Sequence, residues 1–158
     1  MIPGRLLAGE YPIGDDYTDA RARLARFRES GVNHFIDLTE EGEMPGYRHL
    51  LRVPAKYQRC AIADTQVPGA AAQVQQILSD IRAALTLRRP VYVHCRAGIG
   101  RTGLIIGCYL AEESGGGKQG LAQLNRLWKQ SERAKPWPEV PQTREQAKYI
   151  RDWLQAAT

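Results

Sequence analysis

His94-Cys95-Arg96-Ala97-Gly98-Ile99-Gly100-Arg101-Thr102-Gly103 follows the apolar run Val91-Tyr92-Val93 and leads into Leu104-Ile105-Ile106-Gly107-Cys108-Tyr109-Leu110. A short β-branched run, a glycine-rich loop and a helical apolar run predict strand, tight turn and helix in that order. Glycines at 98, 100 and 103 let the loop curl so that successive backbone N–H groups point inward. The helix that begins near Arg101 adds its unpaired N–H groups and positive dipole end, which completes a cradle for an anion of phosphate size. Arg101 would bring a planar fork of donors to the same oxygens. Cys95, at the mouth of this ring, would be held as a thiolate and act as a nucleophile at neutral pH.

Working outward, Arg88-Arg89-Pro90 stops a long helix predicted over 70–87, whose apolar stripe is Val74, Ile77, Leu78, Ile81 and Leu85. Upstream, strands are expected within 57–63 and from Val32 to Thr39, with a loop between Glu40 and Tyr47 holding three glutamates, a proline and two glycines. Tyr17, Ala20, Leu24 and Phe27 predict an amphipathic helix capped by Asp15 or Asp16 and ended by Gly31, and Arg5 to Gly9 reads as an edge strand. Downstream, Leu104 to Leu110 is apolar nearly all round, as a central helix is. Ser114-Gly115-Gly116-Gly117 breaks the chain, and Leu121, Leu124, Leu127 and Trp128 mark another helix. Lys135-Pro136-Trp137-Pro138 interrupts again before a last helix over 142–155. This alternation, without internal repeats, predicts an α/β fold with a central, mainly parallel sheet of four to five strands and helices on both faces. The glycine-rich loop then lies at the carboxyl end of a central strand, where open sheets of this kind place ligands.

At 158 residues the chain fits one domain spanning 1–158. Its net charge of +5 favours anionic partners, yet no Lys/Arg block or aromatic-basic interleaving marks a nucleic-acid surface. Cysteines at 60, 95 and 108 form no C-x-x-C pair, which argues against zinc or a disulfide framework and suits a reducing cytoplasm. No apolar run reaches membrane-spanning length, so no membrane anchor is expected. His34 and His49 stand apart from other ligand types and read as packing or surface residues, so no metal is expected.

His-Cys, five residues, then Arg-Thr resembles the signature of the cysteine-dependent protein tyrosine phosphatase superfamily. The Walker loop, by contrast, needs a Gly-Lys-Ser/Thr ending that is absent. The resemblance implies Cys95 as nucleophile, with Arg101 and the backbone through Arg96, Ala97, Gly98, Ile99, Gly100 and Thr102 holding the phosphoryl group. The Thr102 hydroxyl can donate to the Cys95 sulfur, and His94 is expected to orient the loop by hydrogen bonding. A leaving oxygen benefits from a positioned acid, and Asp64, in a Gly/Pro-bounded turn after a strand, is the candidate. Asp64-Thr65-Gln66-Val67-Pro68 resembles the superfamily's mobile acid loop, although Ile62-Ala63 stands where tyrosine-specific members have Trp-Pro and Gln66 where they have Gly. Gln142-Thr143-Arg144-Glu145-Gln146 resembles their Gln-Thr-x-x-Gln motif. That implies a water-positioning role for Gln142 with Gln146 in support, both amides on one helix face; a solvated face is the competing reading. The segment from Pro3-Gly4 to Tyr11-Pro12 resembles the first strand of compact dual-specificity phosphatases. A Lys-Asn-Arg-Tyr recognition loop is absent, which implies a shallower site open to phosphoserine and phosphothreonine as well as phosphotyrosine.

The implied function is hydrolysis of phosphomonoesters on proteins or peptides through a phosphocysteine, without metal or cofactor. Phosphate, vanadate, sulfate or tungstate would occupy the same loop. Two alternatives stand beside it. Inositol phosphates or phosphoinositides would call for further cations in the loop, where Ala97 and Ile99 are apolar and Arg96 is the only addition. A phosphate-binding module without turnover would keep the cradle, but Cys95, Asp64 and Arg101 together argue against it. Cys60 and Cys108 are candidate redox partners of Cys95, with packing the favoured role for both.

Overall fold

The computed structural model describes residues 5–156, so Pro3 and Gly4 of the opening motif lie outside the described residues. Strands β1 (Leu6–Gly9), β2 (His34–Asp37), β3 (Lys56–Arg59) and β4 (Val91–His94) form one all-parallel sheet in the order β1-β4-β2-β3. The expected edge strand is thus β1, and β4 is central. Helices are α1 (Ala20–Glu29), α2 (Ala71–Thr86), α3 (Gly100–Ser114), α4 (Gly117–Trp128) and α5 (Arg144–Ala156).

Side chains alternate across a strand, and this parity sorts the two faces. Leu6, Ile36, Val91 and Val93 enter one core layer with buried residues of α2, α3, α4 and α5, while Phe35 and Tyr92 enter the other with Ala20 and Leu24 of α1. His94 falls on the Tyr92 side, its ring stacked on Tyr92 at 5.6 Å, and lies in register with Asp37. Parity therefore sets an imidazole and a carboxylate side by side on the face away from α3. Twelve of the fifteen residues of α3 are buried, in keeping with its all-round apolar sequence. α4 approaches it closely because Gly120 has no side chain: a Cβ there would stand 2.4 Å from the Ala111 nitrogen.

Three boundaries differ from expectation, each for a local reason. α1 starts at Ala20, because Asp16 accepts the Thr18 N–H (2.8 Å) in a turn ahead of the helix instead of capping it. Tyr17 is half-exposed there, its hydroxyl donating to the Gly46 carbonyl at 2.6 Å. α5 starts at Arg144, because Thr143 Oγ1 accepts the Gln146 N–H and Gln146 Oε1 accepts the Thr143 N–H, both at 3.1 Å, a reciprocal capping box. Gln142 is left ahead of the helix. Gly115, at φ 72°, closes α3, and Gly117 already belongs to α4.

Candidate active site

Residues 95–99 carry the chain from β4 into α3. Cys95 is 3% exposed, yet its sulfur faces donors: Sγ accepts the Gly98 N–H at 3.2 Å and the Thr102 hydroxyl at 3.1 Å. Only glycine fits position 98, where φ is +74° and a Cβ would lie 2.3 Å from the Gly9 carbonyl carbon. The first bond into α3 runs from Gly103 N to Ile99 O (3.2 Å), so the amides of Gly100, Arg101 and Thr102 precede the ladder at the positive end of the helix. The Arg96 and Ala97 side chains point to solvent, and Arg96 O accepts the Tyr11 N–H at 2.9 Å. What these two residues bring to the turn is backbone.

Arg101, 1% exposed, is held edge by edge. Nη1 and Nη2 donate to the two carboxylate oxygens of Glu43 (2.8 and 2.5 Å), and Nη1 also donates to the Ile62 carbonyl (3.1 Å). Asp64 Oδ1 lies 3.3 Å from Nη2, and Nε is buried without a partner. Of the guanidinium nitrogens only Nε is without a partner, and its N–H is the donor left for an oxygen of a bound phosphate. The same pairing holds the Glu43 carboxyl below its ordinary range, chiefly through its hydrogen bonds to Arg101.

Asp64 itself is 59% exposed and accepts the N–H of Thr65, a residue at φ +63°. The turn after it is tied down, since Gln146 Nε2 donates to the Gln66 carbonyl at 3.2 Å. Although Gln142 stands outside α5, both glutamine amides converge on the loop: a Cβ on Gly100 would lie 3.0 Å from Gln142 Oε1 and 3.1 Å from Gln146 Nε2. Gln142 is exposed. Gln146 is wholly buried, and its amide accepts the Thr143 N–H and donates to the Gln66 carbonyl, so it ties the two loops together.

Beneath the turn, His94 Nδ1 lies 3.3 Å from the Cys95 carbonyl and Nε2 lies 2.7 Å from the Tyr47 hydroxyl. A carbonyl can only accept, so Nδ1 carries the proton and Nε2 accepts from Tyr47. Burial pushes the His94 pKa down to about 4, against the opposing pull of Asp37, whose carboxylate is 4.0 Å away. Asp37, the last residue of β2, accepts from Thr39 and from the Tyr57 hydroxyl (2.7 Å) and pairs with Arg59. Glu43 and Tyr47, which hold Arg101 and His94, are site residues that the sequence does not single out. Their loop follows an expected strand, but nothing in the sequence distinguishes one of its three glutamates from the others. Cys60 and Cys108 are free thiols whose pKa values burial raises, Cys60 to about 11. Among the described residues no group of three or more His, Cys, Asp or Glu is gathered as metal ligands, and no helix is long and apolar enough to cross a membrane.

The chain is 32% identical over 114 residues to the "Putative tyrosine phosphatase 067L" of Invertebrate iridescent virus 3, a match over 70% of this chain and 44% of that protein. It thus spans less than half the length of this curated relative. Among solved structures, Tk-PTP in its active form superposes with a TM-score of 0.70 at 18% identity, covering 98% of this chain and 99% of that one. PTPMT1 in complex with PI(5)P gives a TM-score of 0.72 at 18% identity, covering 98% and 92%. Both share the fold. The family model described as "Polymorphic toxin system, DSP-PTPase phosphatase" matches residues 13–115, which take in β2, β3, the Asp64 turn, the Cys95 loop and α3, and the chain belongs to that dual-specificity phosphatase family.

Proposed function

We propose that the chain hydrolyses phosphomonoesters of phosphotyrosine, phosphoserine and phosphothreonine through a phosphocysteine on Cys95. The observation that carries this reading is a Cys95 sulfur that already accepts two hydrogen bonds, in a turn whose buried Arg101 keeps one guanidinium nitrogen, Nε, without a partner. In the first step Sγ attacks phosphorus, the S–P bond forms, and the P–O bond to the leaving group breaks as Asp64 gives that oxygen a proton. In the second, Asp64 takes a proton from water that Gln142 positions. The water oxygen bonds to phosphorus and the S–P bond breaks, with the Thr102 hydroxyl supporting the departing thiolate. The loop amides and Arg101 stabilise the charge spread over the transferring group in both steps. Phosphate, vanadate, sulfate and tungstate fit the same donors.

A phosphoinositide reading has one point in its favour, the fold shared with PTPMT1 in complex with PI(5)P. Against it, Arg96 is the only cation the loop adds beyond Arg101, and Ala97 and Ile99 are apolar. The test of the catalytic reading is Cys95→Ser: hydrolysis of an aryl phosphate is expected to vanish while tungstate binding persists, and retained turnover would refute it. Parallel assays on phosphotyrosine peptides and soluble inositol phosphates separate the substrate classes.

A further inference from the structure

A groove of about 690 Å³ lies between α4 and α5 and opens on Gln142. Four cations line it, Lys118 and Lys129 from α4 and Arg144 and Arg151 from α5. All four are exposed, and none makes an ion pair among the described residues. Glu139 is the one acidic residue of the lining, and Leu121, Ala122 and Ala147 give it an apolar floor.

The two helices run antiparallel. Gly117 sits so close to α5 that a Cβ there would be 2.1 Å from the Arg151 carbonyl oxygen, which sets Lys118 and Arg151 at one end. At the other, Asn125 bonds both the Val140 N–H (2.9 Å) and the Val140 carbonyl (2.7 Å), pinning the segment that carries the 38%-exposed Trp137. Lys129 and Arg144 stand at this end, next to Gln142. From Lys118 to Lys129 the helix advances about 16 Å, the reach of roughly five residues of extended peptide.

We propose that this groove seats the residues flanking the phosphorylated side chain of a protein substrate, and that those residues are acidic. The inference rests on the phosphatase reading above and names its substrate class. Continuity carries it: Gln142 reaches the Gly100 position of the phosphate loop, so a peptide with its phosphoryl group over Cys95 runs on into the groove. Charge carries it as well, since four unneutralised cations attract carboxylates and an apolar floor accepts the side chains between them. A single exposed ring offers no succession of stacking platforms for a nucleic-acid strand. A cleft between helices is likewise not the flat amphipathic face that lies on a bilayer.

The experiment compares kcat/KM for two phosphotyrosine peptides that differ only in flanking residues, Asp/Glu in one and Ser in the other, with p-nitrophenyl phosphate as a reference without flanks. The acidic peptide is expected to be favoured about tenfold at low salt, several individually weak pairs acting together. That advantage shrinks near 1 M salt, where charges are screened within about 3 Å. The quadruple variants K118E/K129E/R144E/R151E and K118Q/K129Q/R144Q/R151Q should both erase the preference and leave p-nitrophenyl phosphate turnover unchanged. Equal rates on the two peptides, or a preference that survives in the variants, overturns the inference. So does binding of single-stranded RNA or anionic vesicles that the variants lose while no peptide preference exists. If no phosphate ester is turned over, the catalytic reading fails on its own. The groove is then judged by fluorescence anisotropy of the unphosphorylated acidic peptide, whose binding must disappear in both variants.

Discussion

Glu43→Gln tests how the Arg101 guanidinium is aimed. In the wild type both carboxylate oxygens of Glu43 accept from Arg101, at 2.8 and 2.5 Å, and the Ile62 carbonyl takes a third hydrogen. The glutamine keeps one acceptor oxygen, sets an N–H against an N–H at the other position, and removes the charge that balances a guanidinium 1% exposed. Losing a hydrogen bond to a charged group costs about 1.5–3 kcal/mol. Stripping a buried charge of its partner costs about 3–5 kcal/mol. Asp64 remains 3.3 Å away but is mostly in water, so the cost should fall near the overlap of the two ranges, about 3 kcal/mol. For a chain of this size that lowers the melting temperature by roughly 6–12 °C. If the same energy is lost from the transition state, kcat/KM for an aryl phosphate falls about 100-fold. Thermal melting and steady-state kinetics on the same preparation decide the matter. A variant that melts and turns over like the wild type refutes the reasoning, and one that melts lower but keeps its kcat/KM refutes the claim that Glu43 aims Arg101.

Three further expectations follow from the site. Asp64→Ala should slow alkyl phosphates more than activated aryl phosphates, whose leaving groups need a proton less, and equal loss on both would remove Asp64 as the acid. Tyr47→Phe deletes the donor to His94 Nε2 and leaves that nitrogen buried and unpaired, a cost of about 1–3 kcal/mol. It should lower both urea resistance and kcat, and an unchanged kcat would separate Tyr47 from the chemistry. His94 titrates at about 4 in the folded chain and near 6.5 when unfolded, so between those values the unfolded chain binds a proton that the folded one refuses. The His94 contribution to stability should therefore fall as pH drops from 6.5 toward 4, by up to about 1.4 kcal/mol per pH unit, and level off below. Buried His34, lowered chiefly by the same desolvation, acts in the same direction. His94→Asn should flatten part of the slope in urea unfolding, and an identical slope would contradict the assignment.

How far the sequence could be read depended on how local the determining interactions are. The strand, loop and helix around Cys95 are specified within twenty residues by β-branched, glycine and apolar signals, and β4, the turn and α3 follow that pattern. The stripe from Val74 to Leu85 located α2 just as directly. Where two local signals competed, boundaries moved: Asp16 spends its carboxylate on Thr18, and Thr143 with Gln146 caps α5 two residues after Gln142. Glu43 and Tyr47 were illegible for a different reason. Each acquires its role from a partner far along the chain, Arg101 at 58 residues and His94 at 47, brought near only because β2 lies beside β4 in the sheet. The convergence of Gln142 and Gln146 on Gly100 is a middle case. Their spacing suggested a shared face, but it is the capping turn and the Gln66 contact that bring them together.

During turnover the sulfur of Cys95 should take the phosphoryl group. Acid quenching within the first turnovers on an aryl phosphate, followed by peptide mass spectrometry, reads this directly. One phosphoryl group is expected on the peptide containing Cys95, more of it in Gln142→Ala, where the hydrolytic water is poorly placed, and none in Cys95→Ser. Steady release of phosphate with no phosphorylated cysteine at any time, and undiminished by Cys95→Ser, would contradict it.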